Sequence, residues 1–105
     1  FYTIQMLTIY TTEVFDRWFA SLKDKLSARR IQARIDRAED GHFGDHKSVG
    51  EGVLEMRLHH GSGFRVYFTW MGQEIVILLA GGDKSSQAKD IETAQQLARQ
   101  LKGQA

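Results

Sequence analysis

The sequence predicts an α+β domain with the element order β-α-α-β-β-β-α, in which an antiparallel sheet packs on an N-terminal helical hairpin. Three observations carry that prediction. Apolar residues recur at helical spacing from Val14 to Ala38, alternate with period two over Val53–His59 and Phe64–Trp70, and return to helical spacing after the pair Gly81-Gly82. With 105 residues, 42% hydrophobic and 26% charged, the chain has room for a single modest core. A large active-site cavity would have to be shared with a partner.

Residues 4–10, Ile-Gln-Met-Leu-Thr-Ile-Tyr, are rich in β-branched and large apolar types and read as a first strand. Thr11 or Thr12 is a good N-cap for a helix running to about Lys25, with Val14, Phe15, Trp18, Phe19, Leu22 and Leu26 on its apolar stripe. Ser27 restarts a second helix. Its Ala28, Ile31, Ile35 and Ala38 face the core and leave Arg30, Arg34 and Arg37 toward solvent. The segment from Gly41 to Gly52 holds four of the ten glycines and no periodic pattern, so it reads as a loop. Val53 to His59 then alternates, with Leu54, Met56 and Leu58 on one side and Glu55, Arg57 and His59 on the other. Phe64 to Trp70 repeats the pattern, with Arg65, Tyr67 and Thr69 on its polar side, and Gly61-Ser62-Gly63 suits the turn between the two strands. Glu74 to Ala80 is apolar on both faces, as an interior strand is, and Gly81-Gly82 ends it. Asp83 or Ser85 caps a last helix with Ile91, Ala94, Leu97, Ala98 and Leu101 as its buried stripe. The expected result is two layers, with one sheet face under the helices and the other open.

Composition narrows the chemistry. Without cysteine there is no disulfide, no thiol nucleophile and no thiolate metal site, which suits a reducing cytoplasm. The four histidines lack HxH or HxxxH spacing, so neither a metal nor another cofactor is expected. The longest apolar run, Ile75 to Ala80, is far below the ~20 residues that cross a bilayer, and no charged-then-apolar leader precedes it; a soluble protein without a membrane partner is expected. Net charge is only +1, yet Arg17, Lys23, Lys25, Arg29, Arg30, Arg34 and Arg37 outnumber Asp24 and Asp36 in the second quarter of the chain.

If the hairpin closes on Gly61–Gly63, parity sets His59 opposite Arg65 and Arg57 opposite Tyr67 on one polar face. Lys47, before that hairpin, and Lys84, after the last strand, fall at its margin. Cations at such density suit an anionic ligand. Arg and Lys neutralise charge developing on phosphorane oxygens, a phenol can stack a base, and RNA supplies its own 2′-hydroxyl nucleophile. Nearby cations should also lower the pKa of Tyr67 or of a clustered lysine toward neutrality. Bland roles compete with these: Arg57 as the ion-pair partner of Glu55 or Glu51, Tyr67 as a packing aromatic, His59 and His60 as turn residues, and Arg30 and Arg34 as a solvated helix face.

Several blocks carry a family resemblance: Phe15-Asp-Arg-Trp-Phe, Arg34-Ile-Asp-Arg, Gly44-Asp-His-Lys-Ser-Val-Gly-Glu-Gly-Val-Leu-Glu-Met-Arg, Gly61-Ser-Gly-Phe-Arg-Val-Tyr-Phe and Gly81-Gly-Asp-Lys-Ser-Ser. They resemble the RelE/ParE toxin superfamily, in particular the HigB-like addiction module killer proteins of type II toxin–antitoxin systems, over about residues 6–101. The resemblance implies a cytoplasmic toxin that enters the ribosomal A site and cleaves mRNA without metal, leaving a 2′,3′-cyclic phosphate and a 5′-hydroxyl. It implies Arg65 as the transition-state arginine, Lys47 as the loop lysine gripping the backbone, Arg57 as the preceding strand's basic residue and Lys84 in place of a family arginine or histidine. The chain lacks the C-terminal Tyr or His that some relatives use for proton transfer, which leaves Lys84, Tyr67 and His59 for that role.

The candidate catalytic set is therefore Arg65, Lys84, Tyr67, Arg57 and His59, with Lys47, Arg30 and Arg34 as candidates for substrate binding. A helix-turn-helix antitoxin is the implied partner, and operator DNA is implied only through the toxin–antitoxin complex. The competing functions are a ParE-like, non-enzymatic inhibitor of DNA gyrase and a nucleic-acid-binding module without activity.

Overall fold

The computed structural model describes residues 6–103 and resolves them into β1 (Thr8–Thr11), α1 (Glu13–Ser21), α2 (Lys25–Glu39), β2 (His46–Ser48), β3 (Val53–Arg57), β4 (Arg65–Met71), β5 (Ile75–Gly82) and α3 (Gln87–Gly103). A single 3-10 turn, Lys84–Ser86, leads into α3. The strands form one sheet in the order β1-β5-β4-β3-β2, with β1 parallel to β5 and the other neighbours antiparallel. Residues 4 and 5 of the expected first strand lie outside the described residues; the strand itself begins at Thr8.

Local chemistry sets the helix limits. The Thr12 hydroxyl oxygen accepts from the Phe15 N–H at 3.0 Å, capping α1, while its own proton goes to the Leu79 carbonyl at 2.6 Å and ties the helix start to β5. α1 stops at Ser21, short of the expected Lys25, because Asp24 serves as the cap of the next helix. Its carboxylate accepts from the Leu26 N–H and the Ser27 hydroxyl, so α2 begins at Lys25 rather than Ser27. The glycine-rich stretch also differs from expectation. Residues 46–48 form a short edge strand on β3, supported on both sides by turns with Gly44, Gly50 and Gly52 at positive φ.

Both faces of the sheet are covered. On one face Phe15, Ile31, Ile35, Ala38 and Phe43 pack against Met56, Val66, Phe68, Val76 and Leu78. On the other, Ala94 and Ala98 of α3 pack on Val53, Tyr67, Leu79 and Ala80. The expectation of an open face is thus corrected. The apolar stripe of α3 needs an apolar surface, the first face is already filled by the helical pair, and the small Ala94 and Ala98 let α3 settle close to the second. β5 accommodates the two layers through an irregularity opposite Tyr67 and Phe68. Among the described residues no helix is long and apolar enough to cross a membrane.

Candidate active site

The polar residues of β3 and β4 meet at the end of the sheet where the two strands turn. The observed register sets Arg57 opposite Arg65 and Glu55 opposite Tyr67. This is two residues from the expected pairing, because the ladder continues through the Leu58 N–H to the Phe64 carbonyl at 2.9 Å and carries His59 out of it into the loop. A slip of two preserves parity. Lys47, Glu55, Arg57, Arg65 and Tyr67 therefore still share one face, by the register of β2, β3 and β4.

Their exposure separates them. Arg65, at the start of β4, is 7% exposed, and its Nε and Nη1 are closed to solvent without a hydrogen-bond partner among the described residues. Its guanidinium has an acidic neighbour that the sequence did not place beside it: Glu55 Oε1 lies 3.9 Å from Arg65 Nε. Tyr67 is fully buried beneath α3, and its hydroxyl donates to Glu55 Oε2 at 3.1 Å. Burial first, and then the Glu55 carboxylate, push the phenol well above its ordinary pKa. The expected lowering is reversed. Buried and bonded to Glu55, the Tyr67 ring is not placed to stack on a base at the surface.

Arg57 and His59 are joined by an acid that the sequence reading did not single out. Arg57 Nη2 donates to Asp45 Oδ1 at 2.8 Å, and His59 Nε2 lies 2.7 Å from Asp45 Oδ2. The hydrogen bonds from His59 and then Arg57 hold the Asp45 carboxyl below the usual carboxylate range. Neither Glu55 nor Glu51 hydrogen-bonds Arg57; the acid that does comes from the loop before β2. Asp45 was visible only as part of the block Gly44-Asp-His-Lys, with no sequence spacing to link it to residues 57 and 59.

Lys84 arrives from the far end of β5. Its N–H reaches the Ser62 carbonyl at 3.4 Å, and its aliphatic stem lies where a Cβ on Gly63 would sit, 2.9 Å from Lys84 Cγ. Gly63, at φ +77, is thus required both by the turn and by the lysine. Asp83 holds the following turn by accepting from the Ser85 N–H and hydroxyl. Lys84, Arg65, His59, His60 and the 61–63 turn line a depression of about 430 Å³. Arg57 sits beside it through Asp45 and His59.

The candidate binding residues separate in the same way. Lys47 is exposed on edge strand β2, on the same sheet face, and is not one of the residues lining the depression. Arg30 is exposed and lines a neighbouring hollow of about 230 Å³ with Arg34, Arg37, His59 and His60. Arg34 has a structural task as well. Its Nη1 donates to the Arg57 carbonyl and its Nη2 to the Phe43 carbonyl, each at 2.8 Å, with Asp45 O further off at 3.4 Å. It fastens the 43–45 loop to the end of β3 and thereby sets where Asp45 stands.

What the arrangement can do chemically follows from these pieces. It offers a nearly buried guanidinium at the edge of a depression, a second arginine fixed by an acid, a lysine, and an exposed histidine whose Nε2 is committed to a carboxylate. That set can receive and neutralise a phosphate and move one proton. Among the described residues no cluster of three or more His, Asp or Glu side chains could hold a metal ion.

Comparison with known proteins agrees with the architecture. A solved structure of a double arginine-to-alanine mutant of the E. coli toxin RelE in the free state superposes with a TM-score of 0.69, covering 87% of this chain and 95% of that one at 12% sequence identity. At that identity the likeness is one of fold. An uncharacterized protein of Haemophilus influenzae is 47% identical over 95 residues, 90% of this chain and 96% of the relative. The family model for the phage derived protein Gp49-like family matches residues 17–101. The chain belongs to the Gp49-like family and has a RelE/ParE-type fold.

Proposed function

We propose that the protein is the toxin of a type II toxin–antitoxin pair, of the HigB-like kind, and that it acts as a metal-independent, ribosome-dependent mRNA endonuclease. The observation that supports the reading is the Arg65 guanidinium, 7% exposed and beside Lys84 in one depression. The guanidinium borders the depression beside Lys84, and its charge, little screened at that burial, attracts a phosphate there. Membership of the Gp49-like family and the fold shared with a toxin support the same reading.

In this scheme the mRNA 2′-oxygen attacks the adjacent phosphorus. Its proton passes to the Nδ1 of His59, whose other nitrogen is oriented by Asp45. The new bond is 2′-O–P and the bond that breaks is P–O5′, which gives a cyclic phosphate and a 5′-hydroxyl. Arg65 and Arg57 neutralise the equatorial oxygens, and Lys84 stands by the departing 5′-oxygen and supplies its proton. Arg30 and Lys47 bind flanking phosphates. In this reading the ribosomal A site holds the mRNA against the depression. A helix-turn-helix antitoxin silences the toxin and carries it to operator DNA, and the pair acts in the cytoplasm.

The test is transcript mapping with purified protein, with and without translating ribosomes. Cleavage is expected only on translated mRNA, and Arg65→Ala is expected to lower it at least ~100-fold while the circular-dichroism spectrum is kept. Unchanged cleavage by folded Arg65→Ala would remove the site assignment. Inhibition of gyrase supercoiling in place of any RNA scission would favour the non-enzymatic alternative.

A further inference from the structure

We propose that Glu55 is a positioning residue for Arg65, its buried carboxylate fixing the direction in which the guanidinium meets a phosphate. The inference rests on Arg65 being the phosphate-binding group of the proposed function. Glu55 is fully buried on β3. Its Oε2 accepts from Tyr67 Oη at 3.1 Å and from Gln87 Nε2 at 2.9 Å, donors that come from β4 and from the first turn of α3. Held from two elements, the carboxylate cannot turn. Its second oxygen, Oε1, has no donor among the described residues and lies 3.9 Å from Arg65 Nε, which in turn has no acceptor.

That separation is the informative feature. A purely structural Arg–carboxylate pair closes into a fork with N···O near ~2.8 Å, which consumes the N–H groups. Here the pair is close enough for strong attraction in a dry interior but too long for a hydrogen bond, so Arg65 is held by charge while its donors stay uncommitted. The ladder adds a second reason. Arg57 and Arg65 are direct cross-strand neighbours, and like charges there repel. Each is drawn to its own acid: Arg57 to Asp45 on the exposed side, Arg65 to Glu55 on the buried side. Glu55 therefore sets both where Arg65 points and how far it stands from Arg57.

The test is side-chain NMR of the free protein, following solvent exchange of the Arg65 Nε–H during titration with inorganic phosphate. In folded Glu55→Gln the exchange should accelerate about tenfold, because the guanidinium loses the charge that fixes it, and saturating phosphate should slow it less than in wild type, because the guanidinium no longer meets the anion in one direction. Gln87→Ala, which frees one tether of the carboxylate, should give a smaller change in the same direction. Exchange within about twofold of wild type in folded Glu55→Gln overturns the inference; if that variant does not fold, the same result in Gln87→Ala overturns it. Cleavage on translating ribosomes is measured separately. A wild-type protein that does not cleave, with exchange behaving as expected, removes the nuclease reading and leaves the role of Glu55 standing. Cleavage by Glu55→Gln with unchanged kcat removes the role of Glu55 alone.

Discussion

Arg34 gives the sharpest separation between a residue that binds substrate and one that builds the site. Arg34→Ala removes two 2.8 Å bonds from a charged donor, to the carbonyls of Arg57 and Phe43, and a longer one to Asp45. Two such bonds at about 1.5–3 kcal/mol each set a ceiling near ~6 kcal/mol. Arg34 is only half-buried, so water recovers part of this once the side chain is gone, and a loss of about 2–4 kcal/mol is expected. For a domain of this size that lowers Tm by about 10–20 °C. Arg34→Lys keeps the charge but cannot span two carbonyls on separate segments, so it should lose at least about half as much. The assay is thermal unfolding by circular dichroism beside RNA retention on a filter, for both variants. A Tm within about 2 °C of wild type in Arg34→Ala, together with weakened RNA binding that Arg34→Lys restores, would refute the structural reading and return Arg34 to the substrate surface.

Three further outcomes follow from the same geometry. Tyr67→Phe should retain cleavage to within about threefold, because the buried hydroxyl serves only Glu55 Oε2 and Gln87 still donates there. Since burial raises the Tyr67 pKa above 10.0, the folded protein resists ionisation, and stability that is complete below the unfolded value falls as the pH rises past it; Tyr67→Phe should flatten that alkaline decline, and its phenolate absorbance near pH 10 should equal that of wild type. Asp45→Asn should lower Tm at neutral pH and reduce cleavage by releasing Arg57 and His59. Because the Asp45 pKa is depressed, its contribution is complete above the ordinary 3.8 and disappears as the pH falls through the lower folded value, so the two melting curves should converge in acid. A Cβ at Gly81 would overlap the indole of Trp18, which is backed by Phe15 and Phe64, so Gly81→Ala should cost about 1–3 kcal/mol and shift tryptophan emission; an unchanged Tm would show that the ring moves freely.

Alternation and helical spacing already marked every element but the short strand at residues 46–48, together with the buried side of each helix and of β3 and β4. Period-two alternation in β3 and β4 put Arg57, Arg65 and Tyr67 on one side and Val66 and Phe68 on the other, and that survived a register shift of two because parity is all that alternation encodes. Helical spacing likewise gave Ile31, Ile35, Ala38, Ala94 and Ala98 as buried positions. What covers each face is a long-range matter. No local pattern says that α3 folds back over the polar row of the sheet, and that one contact turned Tyr67 from a surface phenol into a buried donor and gave Glu55 a partner in Gln87. Nor could spacing reveal that Asp45 bridges residues 57 and 59, or that Arg34 joins residues 43 and 57. Those bonds depend on where separate segments meet, which is decided by packing the whole chain and not by any run of it.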